Sequence, residues 1–143
     1  MTSQNVLLVE DNPDDRDLTI MALKGSKIAN EIDIAADGEE ALQYFEDPSR
    51  PLPALVLLDL KLPRIMGIDV LKRLRADERT KLVPIVVLTS SQQESDRYQS
   101  YAEGANAYVV KPVEFDAFSD AVKALGLFWL VINEPPPDRE SPG

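Results

Sequence analysis

Five short apolar runs, each followed by an amphipathic stretch, constrain this chain more than any other feature of its sequence. The runs are rich in Val, Ile and Leu, and most of them lack the polar alternation that is typical of a half-exposed strand. Uninterrupted runs of this kind indicate strands that are covered on both faces, as in a parallel sheet. They predict strands at Asn5–Glu10, Glu31–Ala35, Leu55–Asp59, Ile85–Leu88 and Ala107–Val110.

The segments between the runs have helical spacing, with apolar residues every three or four positions. Pro13 is suited to the start of the first helix, Ser95 to the cap of the fourth, and Pro63 with Gly67 to the break before the third. The predicted apolar faces are Leu18, Met21, Ala22 and Gly25 in the first helix, Ile68, Leu71 and Leu74 in the third, and Phe115, Phe118, Val122 and Leu125 in the last.

Regular alternation of strand and helix predicts an α/β fold, a doubly wound five-stranded parallel sheet between two helical layers. The flavodoxin-like strand order 2-1-3-4-5 makes strands one and three neighbours at the point where ligands bind, beyond the carboxyl ends of the strands. Glu10, Asp11 and Asp59 lie at those ends in the sequence. The pattern therefore predicts one acidic pocket.

A lysine, Lys111, follows the fifth run and precedes Pro112. Mg²⁺ takes oxygen ligands, commonly one or two carboxylates together with phosphate oxygens. A nearby positive charge can neutralise a phosphoryl group during its transfer. Three carboxylates and a lysine at strand ends therefore favour a divalent cation, Mg²⁺ or Mn²⁺, beside a nucleophilic aspartate.

Composition excludes several other classes of site. The chain has 143 residues, enough for one domain, and a net charge of −10, which disfavours nucleic acid and anionic membrane as partners. It contains no cysteine and no histidine, so disulfides, thiolate zinc sites and serine–histidine triads are excluded. The N-terminus lacks the pattern of a signal peptide and no apolar run is long enough to span a bilayer, so a cytoplasmic location is expected.

Five motifs, in order, resemble the receiver domain of two-component response regulators over roughly residues 5 to 125. They are Leu8-Val9-Glu10-Asp11-Asn12, Ala36-Asp37-Gly38-Glu39-Glu40-Ala41-Leu42, Leu57-Leu58-Asp59-Leu60-Lys61-Leu62-Pro63 with Gly67, Val86-Val87-Leu88-Thr89-Ser90, and Gly104-Ala105-Asn106-Ala107-Tyr108-Val109-Val110-Lys111-Pro112. Each motif alone is a weak signal, but five at the family's spacing are a strong one.

The resemblance implies a phosphoacceptor that receives its phosphoryl group from a histidine kinase or from small phosphodonors. That residue would be Asp59, with Glu10, Asp11, Asp59 itself and the backbone carbonyl of Lys61 holding Mg²⁺. Lys111 would pair with the phosphate. Glu10 stands where many receivers have aspartate, and Lys61 places a flexible cation at the mouth of the pocket.

The same resemblance implies switch residues. Thr89 would bind a phosphoryl oxygen after transfer, and the rotamer of Tyr108 would report the state of the chain. The Lys111–Pro112 bond is a candidate for the uncommon cis geometry. Asp14 and Asp15 are interpreted as charges that favour the start of a helix rather than as ligands.

The C-terminal part divides into two segments beyond the receiver domain, residues 1–126. Residues 127–132 form an apolar extension and residues 133–143 a Pro-rich tail, expected to be disordered. The aromatic extension, without an output domain, resembles stand-alone receivers paired with phytochrome-type light-sensing kinases. Output is then expected through a downstream protein or a phosphotransfer partner.

A single helical stripe cannot bury every residue of the extension. Trp129 and Ile132 would continue the inward stripe of the last helix, whereas Phe128, Leu130 and Val131 would face outward. This predicts a homodimer whose interface is Leu127, Phe128, Trp129, Leu130, Val131 and Ile132, with folding back over the chain's own domain as the alternative.

Three functions compete with a phosphorylation switch. A pseudo-receiver that only binds partners is disfavoured by the intact set of Asp11, Asp59, Thr89 and Lys111. An aspartate-nucleophile phosphatase commonly needs a second aspartate where this chain has Lys61, and a flavin-binding protein needs a phosphate loop that is absent after the first strand. The expectation is therefore a phosphoacceptor that catalyses only its own phosphorylation and dephosphorylation.

Overall fold

Strands and helices alternate along the chain as the sequence predicts. A computed structural model describes residues 5–25, 29 and 31–137. The strands of this part are β1 (Val6–Val9), β2 (Ile32–Ala35), β3 (Leu55–Leu58), β4 (Ile85–Thr89) and β5 (Ala107–Val110). All pairs are parallel, in the order β2-β1-β3-β4-β5, which confirms the predicted doubly wound sheet.

The helices follow the strands in turn. They are α1 (Pro13–Gly25), α2 (Gly38–Tyr44), α3 (Gly67–Ala76), α4 (Glu94–Ala102) and α5 (Phe115–Leu127), and α5 continues into a π-helical turn at Phe128–Ile132. None of the helices in the described part of the chain is long and apolar enough to cross a membrane. Residues 138–143 of the predicted tail lie outside the described residues.

In the central strands β1, β3 and β4, burial on both faces explains the uninterrupted apolar runs, because alternate strand residues point to opposite layers. The edge strands β2 and β5 are only partly buried, with Ile34 44% and Val110 36% exposed, so the prediction of cover on both faces is wrong for these two strands. One face packs under α2 and α3, and the other under α1 and α5. The first set from the three central strands is Leu7, Val9, Val56, Leu58, Ile85 and Val87, and the second is Val6, Leu8, Leu55, Leu57, Val86 and Leu88.

Two residues placed on apolar helix faces are exposed. Met21 is 63% exposed, because the buried face of α1 follows Thr19, Ala22 and Leu23. Phe115 is 55% exposed, since it is the first residue of α5, one turn before the buried Phe118. The remaining predicted positions on these faces that carry side chains are buried or half-buried.

The predicted Ser95 cap is also wrong. Helix α4 already begins at Glu94, and its cap residue Gln93 makes no side-chain capping hydrogen bond. The first turn is instead supported from the preceding loop, where the Ser91 Oγ accepts a hydrogen bond from the Gln93 backbone N–H at 3.3 Å.

The end of the last helix differs from the predicted stripe. In the π-helical turn the Asn133 N–H donates to the carbonyl of Phe128, five residues earlier, over 2.6 Å. The extra residue in this turn rotates the following side chains relative to an α-helix. Leu130 is therefore buried, whereas Ile132 is exposed, the reverse of the prediction for these two residues.

Candidate functional site

The acidic residues meet where β1 and β3 end side by side. Val9 and Leu58 are paired in the last register position of these strands, so the residues that follow leave the same edge of the sheet. Glu10 and Asp59 come one position after the strands and not inside them as predicted. Both are buried, at 3% and 7% exposure.

Three carboxylates converge at this edge. Glu10, Asp11 and Asp59 each offer an oxygen, and these atoms lie within 4.8 Å of one another. Asp11 is exposed, while Glu10 is held by the Asn12 backbone N–H, which donates to its Oε2 at 3.2 Å. The predicted acidic pocket is therefore present, and it is open on the side of Asp11.

Lys111 reaches this pocket from the end of β5. Its backbone N–H donates to the carbonyl of Thr89 at 2.7 Å, which fixes the start of the side chain beside β4. Its Nζ donates to Glu10 Oε1 at 2.5 Å and to Asp59 Oδ2 at 3.1 Å. The Lys111–Pro112 bond, predicted as a candidate for cis, is trans, the geometry that most X–Pro bonds adopt.

A fourth carboxylate, which the sequence interpretation assigned to the start of α1, also contacts the lysine. Asp15 Oδ2 lies 2.9 Å from Lys111 Nζ. The start of α1 is capped instead by Asn12, whose Oδ1 accepts hydrogen bonds from the backbone N–H groups of Asp14 and Asp15. Asp15 is thus a member of the site, whereas Asp14 is exposed beside it.

The electrostatics of the pocket reflect one cation among several carboxylates. Burial raises the pKa of Glu10 to about 7, and the charge of Asp59 adds to the rise. The hydrogen bond from Lys111 acts in the opposite direction but is the smaller effect. Burial also disfavours the charged form of Lys111, but hydrogen bonds to Glu10 and Asp15 and the charge of Asp59 outweigh it and raise its pKa. The pocket keeps an excess of negative charge, which favours a further cation.

A chain of hydrogen bonds links Thr89 to Tyr108 through the loop after β4. Thr89 is fully buried, and its Oγ1 accepts a hydrogen bond from the Ser91 backbone N–H at 3.3 Å. The half-buried Tyr108 donates its hydroxyl to the Ser91 carbonyl at 3.0 Å. Ser91 Oγ in turn donates to Asp96 Oδ2 on α4 at 2.5 Å. Sequence reasoning identified Thr89 and Tyr108 but not the residue between them.

Two residues at the mouth of the pocket are exposed. Lys61 and Ser90 both line the cleft above Asp59. The Lys61 backbone N–H faces Asp59 Oδ1 at 3.4 Å. The assignment of the Lys61 carbonyl as a metal ligand stays a prediction.

The loop that carries Asp59 is packed tightly against the start of α3. A Cβ atom placed on Gly67 would overlap the backbone carbonyl oxygen of Asp59 and crowd the Cα of Leu60. The Gly67 N–H donates to the carbonyl of Leu60 at 2.9 Å. Only glycine permits this approach, so Gly67 helps to fix the position of Asp59.

Arg75, at the end of α3, binds the chain at the other end of the sheet, where β4 and β5 begin. Its guanidinium donates to the carbonyls of Gly104 and Val83 at 2.9 and 2.7 Å, and to the side chain of Asn106 at 2.8 Å. Asn106 Oδ1 also accepts from the Ile85 N–H at 2.8 Å. Arg75 thus fastens the end of α4 to the starts of β4 and β5.

Comparison with known proteins agrees with this geometry. The response regulator receiver domain family matches residues 6–123 of the chain. Response regulator Rcp1 of Synechocystis sp. is 36% identical over 129 residues, which cover 87% of this chain and 88% of Rcp1.

Three solved structures share the fold. The phosphorylated cyanobacterial phytochrome response regulator RcpA has a TM-score of 0.89 and 34% identity, covering 94% of this chain and 99% of RcpA. The Mn(2+)-bound form of Rcp1 has a TM-score of 0.87 and 35% identity, covering 93% and 99%. The bacteriophytochrome response regulator RtBRR has a TM-score of 0.72 and 48% identity, covering 94% and 85%. Site, fold and sequence relationship together make this chain a member of the response regulator receiver domain family of two-component signalling.

Proposed function

We propose that this chain is a phosphorylation switch in which Asp59 accepts a phosphoryl group from a histidine kinase in a Mg²⁺-dependent reaction. One observation carries the proposal: the Asp59 carboxylate lies 3.1 Å from Lys111 Nζ and beside Glu10 and Asp11. Phosphoryl transfer needs an aligned nucleophile and neutralised charge more than it needs acid–base chemistry. The Asp59 site supplies both requirements.

The donor set fits a hard divalent cation. Glu10, Asp11 and Asp59 present carboxylate oxygens, the ligand type that Mg²⁺ and Mn²⁺ prefer, and Asp11 leaves the site open to water and phosphate oxygens. The Mn(2+)-bound form of the similar Rcp1 supports the same proposal. When bound, the cation supplies charge neutralisation on the transferred group.

The chain's own residues have distinct roles in this reaction. One oxygen of Asp59 attacks phosphorus as the bond from phosphorus to the donor atom breaks, and the leaving group keeps the bonding electrons. Lys111 pairs with the transferred oxygens, and its raised pKa keeps it charged throughout. Thr89 lies at the end of the neighbouring strand, from which its hydroxyl can bind a phosphoryl oxygen. The chain catalyses only its own phosphorylation and dephosphorylation, with no other substrate.

Labelling with acetyl phosphate and Mg²⁺, followed by intact mass, tests the assignment. We expect a gain of about 80 Da in the wild type and none in Asp59→Asn, which keeps the shape but loses the nucleophile. Asp69→Asn removes an exposed carboxylate of α3 and is the matched control, expected to be labelled normally. Labelling of Asp59→Asn at the wild-type rate, or turnover of unrelated phosphoesters, would contradict the proposal.

The partner kinase is proposed to be a phytochrome-type light sensor. The similarity to the phytochrome response regulators RcpA and RtBRR supports this choice. Phosphotransfer profiling against the histidine kinases of the source organism tests it. We expect the fastest transfer from a kinase with a phytochrome sensor, and preference for any other kinase would contradict the pairing. Output would then pass through contacts with a downstream protein or phosphotransfer partner.

A homodimer through the C-terminal extension is also proposed. Leu127, Phe128, Val131 and Ile132 are between 46% and 59% exposed on the last two turns. Leu130 and the half-buried Trp129 pack against the chain's own core, so the extension folds back in part and leaves this smaller apolar surface. Burying a large apolar side chain contributes roughly 1.5–3 kcal/mol, enough for several together to offset the cost of association.

Sedimentation at micromolar concentrations tests the dimer without disturbing the core. The variant Phe128→Ala/Ile132→Ala removes two exposed side chains and should dissociate the dimer. Leu82→Ala/Val113→Ala removes two exposed apolar residues elsewhere and is the control. A monomeric wild type, or dissociation only in the control, would show that the extension is not the interface.

A further inference from the structure

Lys111 has a third carboxylate partner that the proposed chemistry does not use. Its Nζ contacts Asp15 at 2.9 Å in addition to Glu10 and Asp59. An ammonium group carries three N–H donors, so one is available for each carboxylate. Asp15 is not among the carboxylates that converge as a candidate metal site. It is therefore a partner that the lysine can keep when the other two are engaged elsewhere.

Helix α1 holds Asp15 at a fixed place. Its backbone N–H donates to Asn12 Oδ1 at 3.2 Å, and its carbonyl accepts a hydrogen bond from Thr19 Oγ1 at 2.7 Å. The side chain of Lys111 is 8% exposed and that of Asp15 27%. The pair is thus shielded from most of the solvent. An ion pair in such a place is stronger than one on an open surface.

A divalent cation and Lys111 compete for the same two carboxylates. Glu10 and Asp59 contact the lysine and also belong to the candidate metal cluster. A cation that engages them weakens their hold on Nζ, while the contact with Asp15 is left intact. We propose that Asp15 is a positioning residue that keeps Lys111 at the pocket when a cation engages Glu10 and Asp59. The inference rests on the proposed function, because it requires a cation at this site.

The consequence is a measurable coupling between Asp15 and Lys111. Without the Asp15 carboxylate, Lys111 has only the two contested partners and competes with the cation more strongly. The Kd for Mg²⁺ should then rise about five- to tenfold, which lies within the range expected for coupled residues in direct contact. Without the lysine there is no competitor, and the effect of Asp15 should disappear.

Calorimetric titration of MgCl₂ into five proteins tests this coupling. They are the wild type, Asp15→Asn, Asp14→Asn, Lys111→Met and Asp15→Asn/Lys111→Met. Asp14→Asn is the matched control, because this substitution removes the same charge one position away on α1. Asp14 has no ion pair among the described residues. We expect a raised Kd in Asp15→Asn, a Kd within about twofold of wild type in Asp14→Asn, and equal values for Lys111→Met with and without the Asp15 change. Asp15→Glu, which keeps the carboxylate, should recover part of the loss.

The outcomes separate this inference from the proposed function. A wild type that binds no Mg²⁺ overturns both. A wild type that binds Mg²⁺ while Asp15→Asn behaves like Asp14→Asn overturns only the role of Asp15. A raised Kd that persists when Lys111 is methionine also overturns it, because Asp15 would then act on the cation directly and not through the lysine.

Discussion

The hydroxyl of Tyr108 donates a hydrogen bond to the backbone carbonyl of Ser91, 3.0 Å away in the loop after β4. Tyr108→Phe removes this bond and should lower the free energy of unfolding by about 1 kcal/mol, the usual contribution of one such bond. Chemical denaturation measures the change. Tyr98→Phe, at an exposed tyrosine of α4, is the control and should leave stability unchanged. Equal stability of the two variants would mean that the Tyr108–Ser91 bond contributes nothing.

Thr89→Ala should still be phosphorylated on Asp59 but should respond weakly to it. The buried hydroxyl of Thr89 is the donor available to a phosphoryl oxygen, and its Oγ1 is bonded to the Ser91 N–H. Intact mass should show normal labelling, and amide exchange over residues 90–102 should change less on phosphorylation than in the wild type. Thr89→Ser retains the hydroxyl and should restore the response. A full response in the alanine variant would assign Thr89 to packing alone.

Gly67→Ala should destabilise the chain by about 2–3 kcal/mol. The added methyl group would overlap the carbonyl of Asp59 and the backbone of Leu60, and neither can move as a flexible side chain can. The shifted Asp59 loop should also slow labelling by acetyl phosphate. Gly25→Ala, at a helical glycine with open space around it, is the matched control and should stabilise by up to about 1 kcal/mol. If Gly67→Ala left stability unchanged, the Asp59 loop and the start of α3 would be able to separate at little cost.

Adding Mg²⁺ should stabilise the metal-free chain. Carboxylates crowded at one sheet edge repel one another, and binding to the folded state alone adds about 2.7 kcal/mol at a hundredfold excess over Kd. Thermal unfolding with and without millimolar MgCl₂ measures the gain. Asp11→Asn, which leaves the cation fewer hard ligands, should gain less, whereas Asp69→Asn should gain as much as the wild type. A melting temperature indifferent to Mg²⁺ would contradict a metal site.

Tyr44 should make stability depend on pH in the alkaline range. Burial, together with the hydrogen bond that its hydroxyl donates to Asp33 at 2.8 Å, raises its pKa from 10.0 to about 12. Because the folded chain holds this proton more tightly than the unfolded chain, the stabilisation is present below pH 10 and is lost between about pH 10 and 12.

Ultraviolet titration of tyrosinate formation checks this shift. The titration step of Tyr44 should lie near pH 12 in the wild type and be missing in Tyr44→Phe. In Asp33→Asn the same step should move toward pH 10. A Tyr44 step that titrates at its ordinary value would mean that the Asp33 contact is not maintained.

The sheet and most of the pocket could be predicted because local patterns determine them. Apolar runs such as Leu55–Leu58 are typical of central strands in a parallel sheet, and the turn after such a strand leaves by its carboxyl edge. Glu10, Asp59 and Lys111 are therefore brought together by topology alone. Their order along the chain is sufficient for that inference.

The errors and omissions arise where a contact is tertiary or a turn is irregular. Asp15 has the composition of an ordinary helix start, and its contact with Lys111, 96 positions away, has no local signal. Leu130 and Ile132 exchanged their predicted places because 3-4 spacing cannot reveal a π-helical turn. Arg75 was missed because its contacts are tertiary: its bonds to Val83 and Gly104 depend on chain segments that the sequence does not place.

The hydrogen bonds of Arg75 restrain helix α4 at one end. Its C-terminal end is fastened, because the carbonyl of Gly104 accepts from the guanidinium, while its first turn is linked to the site through the hydrogen bond between Ser91 and Asp96. We expect a disturbance at Thr89 to displace the first turn of α4, at Glu94, more than Ala102 near the fastened end. Spin labels at the two ends would measure unequal distance changes on phosphorylation, and equal changes would mean that the pivot is elsewhere.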